Sequence, residues 1–331
     1  MTRPYSRRSF LETSLTAGAA LAGRPISRAP VAREVGTHPP GKPGFPVADY
    51  HVHLSPTLSI EEAIALGKQR QVQIGIVEHP GPGFPINTDT DLKQYIDGLR
   101  RYPVRIGLQP VYAGWSKSFS KSLLDELDYI LMDALTRPRP EGGWLAIWQI
   151  DTMVDDEEEF MTRYMRFIEQ VLTTEPIDIF AWPTFLPVPI ARQYKELWTS
   201  RRVQRIISLC GDRAQRPRDR KIAIEINEVA HVPDESFILQ AKRASLKFTF
   251  GTDARNQNAA HFYYCYQMAQ RCGLTEADMF VPRQKRPVEQ AGPSRANRDV
   301  WDSVAAPFFL THSSPGSSPT QVAPTFRSAP D

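Results

Sequence analysis

Two histidines one residue apart, His51 and His53, end a short apolar run, and Asp253 ends another such run far along the chain. On a β-strand, residues i and i+2 point to the same side, so the two imidazoles project together. Neutral imidazole suits Zn, Mn or Fe, and a carboxylate from a second strand completes a ligand set with open positions. A divalent metal held this way draws the pKa of water toward neutrality. Other apolar runs also end in useful groups: Glu78-His79, Gln109, Glu225-Ile226-Asn227 and Thr252-Asp253-Ala254-Arg255. The candidate ligands are His51, His53, Asp253, His79 and Glu225. The candidate catalytic groups are Asp253, His79 and Arg255. A lone buried histidine is commonly a satisfied core residue, but polar groups at the ends of several separate strands favour metal binding. Glu225 has a second reading, as a brace for Arg255 or a loop amide.

The elements that must position these residues alternate. Apolar runs at Val47–His53, Gln73–His79, Val104–Gln109, Asp128–Ala134, Ile177–Trp182, Lys221–Asn227 and Lys247–Asp253 read as parallel strands buried on both faces. Between them lie amphipathic stretches. Ser59–Arg70 opens with Ser59 and Glu62 at capping-box spacing, and Glu157–Leu172 and Asn258–Cys272 carry apolar residues at helical spacing. Strand–helix alternation of this kind gives a closed α/β barrel or an open doubly wound sheet. No Gly-x-Gly-x-x-Gly follows the first strand, which argues against a dinucleotide fold. In a barrel the chemistry sits at the carboxyl ends of the strands, where these polar groups fall.

Composition sets the bounds. The chain has 331 residues, with 41% hydrophobic and 23% charged residues, as in ordinary globular proteins. Forty Lys and Arg against 37 Asp and Glu leave a net charge of +3, scattered rather than massed, so no nucleic-acid partner is expected. Cys210, Cys265 and Cys272 make no disulfide framework. Cys265 and Cys272 lie roughly two turns apart on one expected helix, too far to bridge within it. Residues 1–22 read as a signal peptide. Ser6-Arg7-Arg8-Ser9-Phe10-Leu11 resembles the twin-arginine export motif, with Glu12 where a Lys is usual, and a weakly apolar run ends in Ala20-Leu21-Ala22. That run is about half of what a stable membrane span needs. Residues 23–45 read as a linker, 46–282 as the barrel, and 283–331 as a Pro- and Ser-rich tail, mostly disordered, in which Trp301 and 305–310 could dock.

The motifs together resemble the polymerase and histidinol phosphatase (PHP) superfamily over roughly residues 47–275. Its opening Asp-x-His-x-His is matched by Asp49, His51 and His53, and its Glu-Ile-Asn by Glu225-Ile226-Asn227. Its Thr-Asp-His stands here as Val77-Glu78-His79, and its Gly-Ser-Asp-Ala-His as Gly251-Thr252-Asp253-Ala254-Arg255. The resemblance implies a distorted TIM-like (β/α)7 barrel that hydrolyses phosphate esters at a centre of two or three metals. Four positions depart from the family. Gln109 replaces a bridging Glu, and Leu135, Trp182 and Arg255 replace histidines. Gln is a poor ligand, and the other three cannot bind the cation. His51, His53 and Asp253 remain as one metal position, and His79 remains from another. One ion is therefore expected, not three.

Three functions fit these residues. One is a metal-dependent hydrolase of phosphate esters, a small-molecule and anionic substrate class, with Arg255 taking over a metal's charge. One is an amidohydrolase-like amidase or lactonase. The third is a non-catalytic barrel that binds a ligand in the old site. Arg255 lies two beyond Asp253, so on an extended strand end both point the same way. There it could repel a second metal, pair with Glu78 or Glu225, or hold a substrate anion. The amino terminus implies a partner in the twin-arginine machinery and a periplasmic or extracellular location. Lysine at both Arg7 and Arg8 should hold the precursor in the cytoplasm; unchanged export of that variant would contradict the twin-arginine route.

Overall fold

Runs of apolar residues too short for helices form strands here because both of their faces can be buried. The computed structural model describes residues 41–81, 83–138, 144–149, 152–212 and 221–283. Its strands are β1 (Val47–Val52), β2 (Val72–Ile76), β3 (Arg105–Leu108), β4 (Tyr129–Met132), β5 (Thr136–Pro138), β6 (Trp144–Ala146), β7 (Ile179–Phe180), β8 (Ala223–Asn227) and β9 (Phe248–Gly251). Seven of them close into a barrel in the order β1-β2-β3-β4-β7-β8-β9, with every pairing parallel. β5 and β6 form a separate antiparallel hairpin. This is a TIM-like α/β barrel, the closed form of the two architectures that strand–helix alternation allows. The segment carrying Arg7 and Arg8, the linker up to residue 40, and the tail from residue 284, with Trp301 and 305–310, lie outside the described residues.

The helices are α1 (Ile60–Arg70), α2 (Asp89–Arg100), α3 (Lys121–Leu124), α4 (Glu157–Thr174), α5 (Tyr194–Leu197), α6 (Ser200–Gly211), α7 (Glu235–Arg243) and α8 (Tyr264–Arg271). The capping box at Ser59 and Glu62 forms as expected. Helix α4 starts at its Asp156 cap and buries Phe160, Tyr164, Phe167, Ile168 and Val171, the apolar stripe read from the sequence. The expected helix over Asn258–Cys272 is shorter, because it begins only at Tyr264. Ala260 takes a left-handed φ of 62°, which a continuing helix forbids. The Glu228 carboxylate then accepts the amides of Tyr263, Tyr264 and Cys265, so it supplies the cap. No helix among the described residues is long and apolar enough to cross a membrane. All three cysteines are buried, and none forms a disulfide among the described residues.

The strands stop earlier than their apolar runs suggest. β1 ends at Val52, β2 at Ile76, β3 at Leu108 and β9 at Gly251, so His53, His79, Gln109 and Asp253 lie just past the ladder. Asp253 has a left-handed φ of 47°, so the chain turns out of the extended form there. The extended-strand argument for placing Arg255 beside Asp253 therefore fails on the backbone, although the two side chains do meet.

The barrel wall is held by a tyrosine lying across it. Tyr129 on β4 reaches over β3 and β2 and donates its hydroxyl hydrogen to the Tyr50 carbonyl on β1 at 2.9 Å. The reach depends on two glycines. A Cβ on Gly107 would sit 2.5 Å from the Tyr129 ring, and one on Gly75 would sit 2.5 Å from its hydroxyl. Gly107→Ala should therefore destabilise the barrel by about 1–3 kcal/mol through overpacking. Tyr129→Phe should cost about 1 kcal/mol for the lost hydrogen bond. Urea unfolding of both variants checks this; an unaltered midpoint for Gly107→Ala would show that the ring is not tightly confined.

Candidate metal centre

The alternation along β1 turns Asp49, His51 and His53 into the barrel, and all three are buried. Asp49 is not part of the group of candidate ligands that His51, His53 and Asp253 form. Its carboxylate accepts the amides of His51, Thr252 and Ala260 and the Thr252 hydroxyl, at 3.1, 3.1, 2.8 and 2.6 Å. It thereby fastens β1 to the segment that follows β9. The amide of His53 completes the seam by donating to the Ala254 carbonyl at 2.9 Å.

That seam brings the expected ligands together. Asp253 Oδ1 lies 3.3 Å from His51 Nε2 and 3.3 Å from His53 Nε2. Both Nε2 atoms are buried, and among the described residues neither makes a hydrogen bond. A separation of 3.3 Å is close to the edge of a tetrahedron whose arms are about 2.0–2.1 Å, the usual length of Zn–N and Zn–O bonds. Two unpartnered imidazole nitrogens and one carboxylate oxygen therefore form a group that could hold a divalent cation. The site stores strain as well. Asp253 and Trp182 at the mouth both adopt left-handed backbone, at φ 47° and 49°.

Glu225 is placed behind this group rather than in it. Its Oε1 accepts from His51 Nδ1 at 2.6 Å, and its Oε2 accepts the Trp182 amide at 3.2 Å and the Asn227 side chain at 3.1 Å. Pairing with Glu225 keeps the proton on Nδ1 and aims the Nε2 lone pair at the cluster, an arrangement common behind metal-bound histidines. Gly251 makes room for it, since a Cβ there would collide with Glu225 Oε1. Glu225, a candidate ligand in the sequence, therefore lies against His51 Nδ1 and outside the three-residue group. A buried glutamate two strands away from a histidine leaves no trace in residue spacing.

A second group, His53, Glu78 and His79, lies beside the first. His79 Nδ1 donates to the Gln109 carbonyl at 2.8 Å, which leaves Nε2 as the acceptor facing the mouth. Arg255 spans the two groups. Its Nη1 lies 3.0 Å from Asp253 Oδ1 and its Nη2 3.4 Å from His79 Nε2. The guanidinium is thus paired to Asp253 rather than to Glu78 or Glu225. Three further residues near the mouth have structural roles. Gln109 donates to Asp133 at 3.0 Å, and Leu135 and Trp182 are buried.

The charges answer one another. Burial pulls His51 down, but Asp253 and then Glu225 outweigh it and push the imidazole up to about 9. Burial, with Arg255 next, drives His53 down to about 3, so its ring stays neutral. Burial raises Asp253, yet His51, Arg255 and His53 together hold its carboxyl well below the usual carboxylate range. The cluster thus favours positive charge among these groups, and a cation at His51 Nε2 would compete with a proton there.

No family model matches the chain, and no curated protein matches it. Among solved structures, a chain in a cryo-electron microscopy structure of archaeal ribonuclease P with mature tRNA is similar over 72% of this chain and 100% of its own. The identity is 12% and the TM-score 0.33, a likeness too slight to bear on fold or function.

Glu225→Gln keeps the shape behind His51 but removes the charge. Zinc affinity should fall about 10–100-fold, the usual effect of losing such a partner, with little change in melting temperature. Competition with a chelating dye measures it; an unchanged affinity would show that Glu225 does not act through His51.

Proposed function

We propose that this barrel is a metal-dependent hydrolase of the PHP type that acts on phosphate esters through one divalent ion, Zn, Mn or Fe. The observation that carries the proposal is the convergence of His51 Nε2, His53 Nε2 and Asp253 Oδ1, two of them buried nitrogens that make no hydrogen bond among the described residues. When bound, such a cation acidifies water and polarises a phosphoryl or carbonyl oxygen. The rest of the work falls to the chain. His51 and His53 bind through Nε2, and Glu225 fixes the orientation of His51. Asp253 supplies the third donor. His79, with its proton held on Nδ1 by the Gln109 carbonyl, offers Nε2 to accept a proton at the mouth and return it to a leaving group. Arg255 is 18% exposed, so its guanidinium can reach a substrate anion while its stem stays anchored beside Asp253.

The N-terminal motif supports export as part of the same reading, which places loading of the metal in the cytoplasm before translocation. The test is a screen of metal-supplemented protein against phosphate esters, amides and lactones. Turnover of phosphate esters is expected, with His51→Ala and Asp253→Ala each reducing it at least about 100-fold while leaving the barrel folded, because these groups line the mouth. Turnover confined to amides or lactones would move the site to carbonyl hydrolysis. No turnover of any class by fully loaded protein would make the barrel a ligand-binding module.

A further inference from the structure

The group His53, Glu78 and His79 offers one donor atom from each residue, all within 4.8 Å of one another. It carries the donor types of a cation site, yet the nearest cation is one the chain itself provides. Arg255 projects its guanidinium between Asp253 Oδ1 and His79 Nε2, at 3.0 and 3.4 Å.

From this geometry we infer that Glu78, His79 and Asp253 frame a second divalent-cation position, which the guanidinium of Arg255 fills. His53 belongs to both groups, but one imidazole nitrogen serves one cation. With His53 committed to the first ion, a second would draw on Glu78, His79 and the Asp253 carboxylate once Arg255 no longer occupies it. A guanidinium and a divalent ion exclude each other there for two reasons. Both are positive, and in a partly buried mouth their repulsion is screened much less than in water. Both also need the same donors, the His79 lone pair and an Asp253 oxygen. Arg255 therefore limits the number of ions that this mouth accepts. It also keeps a positive charge beside the first site that, unlike a metal, no chelator can remove.

This inference rests on the reading of His51, His53 and Asp253 as the first site, and its test separates the two. The full chain, stripped of metal, is titrated with Co²⁺ and its stoichiometry is read by calorimetry and by elemental analysis after dialysis. Arg255→Met keeps the length of the side chain without charge or donors and should bind about one ion more per chain than wild type. Arg255→Gln serves as a second neutral variant should the first fold poorly, as judged by circular dichroism. Arg255→Lys keeps the charge and should bind the same number as wild type. Adding His79→Ala to Arg255→Met should remove the extra ion and leave the first. Equal stoichiometry in wild type and both neutral variants overturns the inference, as does an extra ion that survives the loss of His79 or one gained by the lysine variant. A wild type that binds no ion, beside a neutral variant that binds one through His79, would sink the first-site reading and leave this one standing.

Discussion

The closure of the barrel between β9 and β1 is the contact on which the rest depends. A parallel barrel must join its last strand to its first, and here the ladder between them is thin: Asp49 pairs with Phe250, and one further bridge joins Val52 to Ala254. A buried carboxylate reinforces it. Asp49 accepts hydrogen bonds from His51, Thr252 and Ala260, and burial raises its pKa while those bonds draw it back down. An ion buried without partners would be expensive, so the seam is stable only while every one of these donors is in place. The same fastening sets His51 and His53, just above Asp49 on β1, against Asp253, just past β9. The distance between the imidazoles and the carboxylate follows from closing the barrel.

The mouth of the barrel is rich in carboxylates. Glu225 and Asp253 flank His51, and Glu78 stands beside His79. These three carboxylates and Asp49 below them cannot all stay ionised in a low-dielectric site without positive charge to match. The chain supplies some of it through Arg255, and a divalent ion held by the two imidazoles and Asp253 would supply more. Arg255 is the residue by which this mouth differs most from a site built wholly of metal ligands, since it puts a permanent organic cation beside Asp253.

Much of this was legible in the sequence, because parallel strands buried on both faces leave unbroken apolar runs and because the two-residue period of a strand sets His51 and His53 on one side. Asp253 could be placed by its position at the end of the last run. What spacing could not convey is how strands lie against one another. The hydrogen bond from His51 to Glu225, the gap left by Gly251 for that carboxylate, and the pairing of Arg255 with Asp253 are all contacts between separate strands or across a left-handed turn. The late start of α8 escaped for a related reason: apolar periodicity runs on through Asn258–Tyr263, but the backbone at Ala260 does not.

The central claim is that one divalent ion sits among His51 Nε2, His53 Nε2 and Asp253 Oδ1. Anomalous diffraction at the zinc edge, from crystals of the zinc-loaded chain, tests it most directly. A single anomalous peak bounded by those three atoms is expected, with Glu225 bonded to His51 and not to the metal. A fully loaded crystal with no peak at that position, or with its peak on Glu225, would contradict it.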